Sequence, residues 1–87
     1  MPEPRQYRPF FSDLAAGFVI ALSKRQQRRV LDTAYQLAAD PLLRSDYTVT
    51  DADGRSIEHL LVNDFVFTYW LDHAECRVMI TEIDAAD

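Results

Sequence analysis

The stretch Phe65-Val66-Phe67-Thr68-Tyr69-Trp70-Leu71-Asp72 decides the fold, together with Arg77-Val78-Met79-Ile80-Thr81-Glu82-Ile83 after a short break. Side chains of an extended strand alternate between two faces. Phe65, Phe67, Tyr69 and Leu71 therefore point one way, and Val66, Thr68 and Trp70 the other. Both sets are largely apolar, which suits a central strand covered on both faces. Asp72 to Glu75 reads as a turn, and Arg77–Ile83 as the last strand of an antiparallel hairpin. The tail Asp84-Ala85-Ala86-Asp87 is too short for another element.

Upstream the same period of two holds. Tyr47–Thr50 is a short strand. Asp51-Ala52-Asp53-Gly54 is a turn in which Gly54 supplies the positive φ. Arg55–Val62 is the next strand, and Asn63-Asp64 a tight connection to Phe65. Before Asp40 the period changes to that of a helix. Ser23-Lys24-Arg25-Gln26 matches a capping box, a serine answered three residues later by a glutamine. Val30, Leu31, Ala34, Leu37 and Ala38 then recur at helical spacing up to about Asp40, where Pro41 ends the helix. Ser12 is an N-cap with Asp13 in the first turn, where the helix dipole favours an anion. The helix Asp13–Leu22 that follows is apolar nearly all round, through Leu14, Phe18, Val19, Ile20 and Leu22. Such a helix lies between the sheet and the second helix, or turns one side to a partner. Residues 1–11 hold Pro2, Pro4 and Pro9 and form an arm, or at most an edge strand over Arg5–Phe10. Residues 12–87 make a single domain. Two helices followed by a meander give an α+β class.

Composition narrows the function. Eighty-seven residues, 48% of them hydrophobic and 26% charged, make one small globular domain and exclude a catalytic barrel or a two-domain enzyme. Cys76 is the only cysteine, so no internal disulfide forms. With no signal peptide, a reducing cytoplasmic setting is expected. The longest apolar stretch, Leu14–Leu22, is too short for a membrane helix. The net charge of −5 is uneven: residues 1–45 carry +3 and residues 46–87 carry −8. An acidic second half repels phosphate, so direct nucleic-acid binding is not expected.

Individual clusters add little chemistry. Asp72, His73, Glu75 and Cys76 are nominal metal ligands, but they crowd one hairpin turn with no second pair. No metal site is expected there. Gly17 and Gly54 are the only glycines, so a phosphate-cradling loop is missing, and nothing points to a cofactor. Lys24, Arg25, Arg28 and Arg29 form a basic face of the second helix, partly neutralised by Asp32. It reads as a solvated face, or as a site for an acidic protein segment.

Two patterns resemble the RelE/ParE superfamily of toxins from bacterial toxin–antitoxin systems, over roughly residues 12–84. One is Ala21-Leu22-Ser23-Lys24-Arg25-Gln26-Gln27-Arg28-Arg29-Val30-Leu31-Asp32 with Leu37-Ala38-Ala39-Asp40-Pro41, similar to the family's helical hairpin. The other is the Phe65–Asp72 and Arg77–Ile83 hairpin. The resemblance implies an antiparallel two-helix hairpin packed on a twisted antiparallel sheet of three or four strands. It also implies an antitoxin partner that wraps the domain.

Relatives that cut messenger RNA on the ribosome need a proton acceptor, a cation for the developing phosphorane and an acid for the leaving oxygen. Matched to this sequence, their basic positions fall at Val66, near Glu58 and Leu60, and at Asp84, Ala85, Ala86 and Asp87. The usual terminal aromatic or histidine is also missing. Only Arg55 and His59 remain near the site as weak catalytic candidates. The expectation is a toxin-like component acting through protein binding, on an antitoxin and a gyrase-type target. A ribosome-dependent messenger RNA endonuclease and a stand-alone interaction domain are the alternatives. Trp70 and Val66, on a face left apolar, are the expected partner anchors, with Phe18, Arg25 and Arg29. The cover for that face is an antitoxin-like protein, a second copy of the chain in a homodimer, or residues 1–11 folded back.

Overall fold

A computed structural model describes residues 6–41 and 45–86. Arg5, Arg44 and Asp87 fall outside them, as does the start of the strand expected at Arg5. The element order is β1 (Arg8–Phe11), α1 (Asp13–Ile20), α2 (Lys24–Ala39), β2 (Tyr47–Thr50), β3 (Ser56–Val62), β4 (Phe65–Asp72) and β5 (Arg77–Ala85).

Both helix starts form by the expected chemistry. The Ser12 hydroxyl accepts from the Ala15 amide at 3.1 Å, and Ser23 Oγ accepts from the Gln26 amide at 3.2 Å. Ser23 Oγ also donates to Gln26 Oε1 at 3.3 Å, closing the capping box through side chains. The first helix ends at Ile20, two residues before the expected Leu22. The reason is the next helix: Ser23 takes an extended backbone to cap α2, so residues 21–23 must turn. Gln27 on α2 closes the corner by donating to the carbonyls of Val19 and Ile20 at 3.0 and 3.3 Å.

The sheet has five strands in the order β1-β5-β4-β3-β2, rather than three or four. Its β2 to β5 part is the expected antiparallel meander, except that β5 runs on past Ile83 because Asp84 and Ala85, expected as tail, pair with Val66 and Phe65. The fifth strand comes from the arm. Arg8–Phe11 pairs with β5 in parallel, so the sheet is mixed and these four residues form its edge strand. Prolines kept this strand weak in the sequence, and an edge is where a strand can hold one: Pro9 sits inside it.

The two faces of β4 are as expected. Phe67 and Tyr69 are fully buried with Phe65 against Leu60, Val78, Ile80 and Ile83 of the neighbouring strands. Ala15 of α1 and Val30, Ala34 and Leu37 of α2 close this core from one side. Leu14 and Ile20 of α1 stay exposed, at 65% and 76%.

A β-bulge between Thr68 and Tyr69 breaks the β4–β5 register. It leaves Thr81 without a partner in the ladder. Thr81 Oγ1 donates to the Thr68 carbonyl at 3.2 Å, and Ser12 Oγ donates to the Thr81 carbonyl at 2.6 Å. The same serine thus caps α1 and fastens it to the bulge. Among the described residues no helix is long and apolar enough to cross a membrane.

The turns carry the strain that their sequences allow. Gly54 has φ 81°, as expected, and both Asn63 and Asp64 lie in the left-handed region at φ 54° and 67°. That pair of dihedrals is a two-residue hairpin turn of the kind that Asn-Gly satisfies best. Asp64→Gly is expected to stabilise the protein by roughly 0.5–1 kcal/mol, since it relieves a left-handed non-glycine residue. An unfolding midpoint in urea that moved down would refute this.

Candidate functional site

The helices cover one face of the sheet, and no described element covers the other. Strand periodicity and register place its residues. On β4 it bears Val66, Thr68, Trp70 and Asp72. Across from them on β5 stand Asp84, Glu82, Met79 and Arg77. His59 of β3 lies beside Thr68, and Leu61 beside Val66. Tyr47 and Val49 of β2 complete it at one edge, and Phe10 of β1, in register with Met79, at the other. Tyr47, Val49, Leu61 and Phe10 are all exposed.

Cations and aromatics are stacked on one another across this face. The Arg55 guanidinium lies 4.1 Å from the centroid of the Trp70 ring. The Arg77 guanidinium lies 5.3 Å from that of Phe10. His59 stacks on Tyr47, with centroids 4.3 Å apart and planes within 6°. Its Nδ1 is buried without a hydrogen-bond partner. Arg77 also pairs with Asp72 at 3.0 Å.

The turn after β4 is a built corner. Asp72 accepts from the Glu75 amide at 3.2 Å. This bond, followed by the Arg77 pair, holds its carboxyl below the usual carboxylate range. The Tyr7 hydroxyl and His73 Nδ1 are hydrogen-bonded at 2.6 Å, tying the arm to the turn. Cys76 takes a left-handed φ of 54° there. These side chains face structural partners, and among the described residues no three His, Cys, Asp or Glu groups converge as a metal site.

The structure brings together Arg55, His59, Val66 and Trp70. It does not bring Phe18, Arg25 or Arg29 to them. Phe18 packs edge-on against Phe65, with centroids 5.9 Å apart, on the helix side. There it lines a groove of about 360 Å³ with Leu14, Gly17 and Ile83, rimmed by Asp13, Glu82 and Asp84. Arg25 and Arg29 are exposed on α2. No ion pair links Asp32 to Arg28 or Arg29, although their spacing allows one.

The positions matched to the RNA-cutting relatives also separate. Glu58 and Leu60 share the helix-side parity of β3, while Val66 lies on the open face, so these three cannot form one site. Glu58 instead accepts from the hydroxyls of Ser45 and Thr48 at 2.9 and 2.5 Å. It lies near Tyr69, whose hydroxyl is pushed up to about 12, first by burial and then by the charges of Glu58 and Asp46. Sequence reasoning missed Arg77, Tyr47 and Phe10 as members of the open face. Arg77 and Tyr47 carried a signal in their strand parity, whereas Phe10 depended on the unexpected parallel pairing.

Solved structures place this architecture. No protein-family model matches the sequence, and no curated protein matches it. A chain of the archaeal RelE–RelB complex from Pyrococcus horikoshii is 15% identical with a TM-score of 0.75, covering 94% of this chain and 97% of that one. This chain has a RelE-like fold. A chain of the toxin–antitoxin complex RelBE2 from Mycobacterium tuberculosis is 20% identical with a TM-score of 0.76, covering 93% of this chain and 99% of that one. For a chain of the intact Escherichia coli RelBE complex the identity is 11%, the TM-score 0.73, and the shares 93% and 98%. The RelE-like likeness thus spans nearly the whole of each chain.

Two pH dependences follow. Asp72 has a lowered folded pKa, so its stabilisation is complete above the ordinary carboxylate range and is lost as pH falls through the lowered value. Asp72→Asn should flatten that part of the acid unfolding curve; an unchanged curve would count against it. Tyr69 is raised from 10.0 to about 12, so its share of stability holds below the lower value and drains as pH climbs through the higher. Tyr69→Phe should reduce the alkaline loss, measured by urea unfolding between the two.

Proposed function

We propose that this chain is the toxin-like component of a bacterial toxin–antitoxin module, working in the cytoplasm through protein–protein binding. An antitoxin-like protein is its partner, and a gyrase-type target fits a mode that needs no catalytic residues. The reading is carried by the open sheet face. On a RelE-like fold, that face bears exposed Leu61 and Tyr47 beside half-buried Trp70 and Val66 rather than a row of basic groups. Contiguous exposed apolar surface marks an interaction site, and tryptophan is a preferred anchor. The structural relatives come from complexes titled as RelE–RelB or toxin–antitoxin assemblies, which supports an antitoxin partner here.

Messenger RNA cleavage is the second reading, favoured by one observation. Arg55, His59 and Arg77 share the open face. In it, the cations would meet phosphate and His59 would move a proton. Against it, Arg55 and Arg77 are engaged on rings and His59 on Tyr47, and Asp72, the carboxylate beside Arg77, is held in their ion pair.

Induction of the chain alone in a bacterial host separates the readings. The binding mode predicts growth arrest with messenger RNA left uncut, relieved by co-expression of an antitoxin-like protein. Arrest with messenger RNA cut by the parent and left uncut by Arg55→Ala/His59→Ala would carry the cleavage reading instead. No arrest and no relief partner would leave a stand-alone interaction domain. Trp70→Ala should weaken partner affinity by about 2 kcal/mol or more in calorimetry; full retained affinity would remove Trp70 as the anchor.

A further inference from the structure

Strand β1 leaves the sheet before β5 ends. Its last pair is Phe11 with Ile80, after which Ser12 turns the chain into α1. Strand β5 runs on to Ala85. Beyond the bulge it has β4 on one side and, among the described residues, no strand on the other. The Ala86 amide donates to the Asp64 carbonyl at 2.8 Å, which turns residue 86 toward β4. Backbone groups alternate along an antiparallel ladder, so Asp84 and Glu82 also face β4, while Ile83 and Ala85 turn their N–H and C=O to the bare edge. The groove of about 360 Å³ lined by Leu14, Gly17 and Phe18 lies against this edge and reaches Ile83. No lysine or arginine lines it, and among the described residues none of its three rim acids, Asp13, Glu82 and Asp84, is held in an ion pair. Gly17 is inside α1, where glycine weakens a helix, yet a Cβ at this position would meet no atom within 4 Å. Nothing in the domain's own packing requires a glycine there. Its effect is to leave room beside the bare edge for another backbone.

We propose that this edge and its groove take up an extended segment of a partner protein in which basic and apolar residues alternate. An unpaired strand edge binds an extended peptide through main-chain hydrogen bonds, and side-chain pockets set the choice of sequence. The free length from Thr81 to Ala85 is roughly 17 Å, room for about five residues. Parity sets the pattern of the segment. A residue placed opposite Ile83 points to the helix side, toward Gly17, Leu14 and Phe18, and must be apolar. Its neighbours in the segment stand opposite Glu82 and Asp84, on the other face, and are matched by lysine or arginine. Charge excludes the other occupants. A second copy pairing edge to edge would set these acids against one another, in a chain of net charge −5, and a nucleic acid would set phosphate against them. The site is separate from the open sheet face, and the proposal holds whether or not that face binds an antitoxin-like protein.

The test is selection of a displayed library of random ten-residue peptides on the full chain, followed by binding of the enriched peptides to variants. Peptides that alternate lysine or arginine with valine, isoleucine, leucine or phenylalanine are expected to be enriched. Gly17→Leu fills the groove without changing any charge, so it should weaken their binding on the order of tenfold or more. The same substitution should leave the urea midpoint equal or higher, because it removes a helical glycine, and that separates a blocked groove from a misfolded chain. Glu82→Lys/Asp84→Lys should select peptides with aspartate or glutamate in the alternate positions instead. Hydrogen exchange of the Ile83 and Ala85 amides should slow when an enriched peptide is bound. A library that yields no binder, or binders without the basic and apolar alternation, would overturn the proposal. So would binding that is equally tight to a folded Gly17→Leu chain, or that leaves the Ile83 and Ala85 amides unprotected.

Discussion

The burial of Phe67 and Tyr69 between the helices and the sheet is the constraint on which the rest depends. Because successive strand residues face opposite ways, fixing these two inward fixes Val66, Thr68 and Trp70 outward. The hairpin partners then follow in register, placing Leu60, Ile80 and Ile83 in the core and His59, Met79 and Glu82 outside it. Slipping β4 by one residue would bury Thr68 and Trp70 and expose three aromatic rings. The core and the open face are therefore one decision about parity.

The helices secure that decision from the side. Val30, Ala34 and Leu37 of α2 and Ala15 of α1 supply small and branched groups that fit against the aromatic strand. Ser12 locks the start of α1 to the bulge in β5, so the helix cannot slide without losing both a cap and a sheet contact. The bulge itself keeps Ile83 and Ile80 both inward, since an unbroken alternation would send one of them out. Irregularity at Thr81 is thus what lets β5 serve the core along its whole length.

Much of this was legible in residue order. The capping serines, the helical stripe of α2, the β4 alternation and Gly54 each speak through local chemistry, and each element formed where that chemistry put it. The parallel pairing of β1 with β5 was not legible, because a pairing across most of the chain leaves no local periodicity and Pro9 argued against a strand. The bulge escaped for the same reason: Thr81 looks like any other alternating position. On the open face, parity alone would have moved the matched positions Glu58 and Leu60 away from Val66. The stacking of Arg55 on Trp70 and of His59 on Tyr47 could not be foreseen, since each pair meets only once the strands are paired.

The parallel edge has a consequence for how the molecule is made. Ser12 and Thr81, bonded across the seam, stand 69 positions apart in the chain. During synthesis, β1 emerges long before the strand it must pair with. Until β5 leaves the ribosome, β1 has no neighbour, and α1 has neither its bulge nor the strand that completes its floor. The β2–β3–β4 meander can assemble from local contacts as it appears, but the half-sheet waits with its β4 edge unpaired. β5, which pairs with both β1 and β4, joins the two halves at once, so closure of this domain is a late and concerted event. While β5 is still inside the ribosome, the aromatic β4 stands open to whatever else is near.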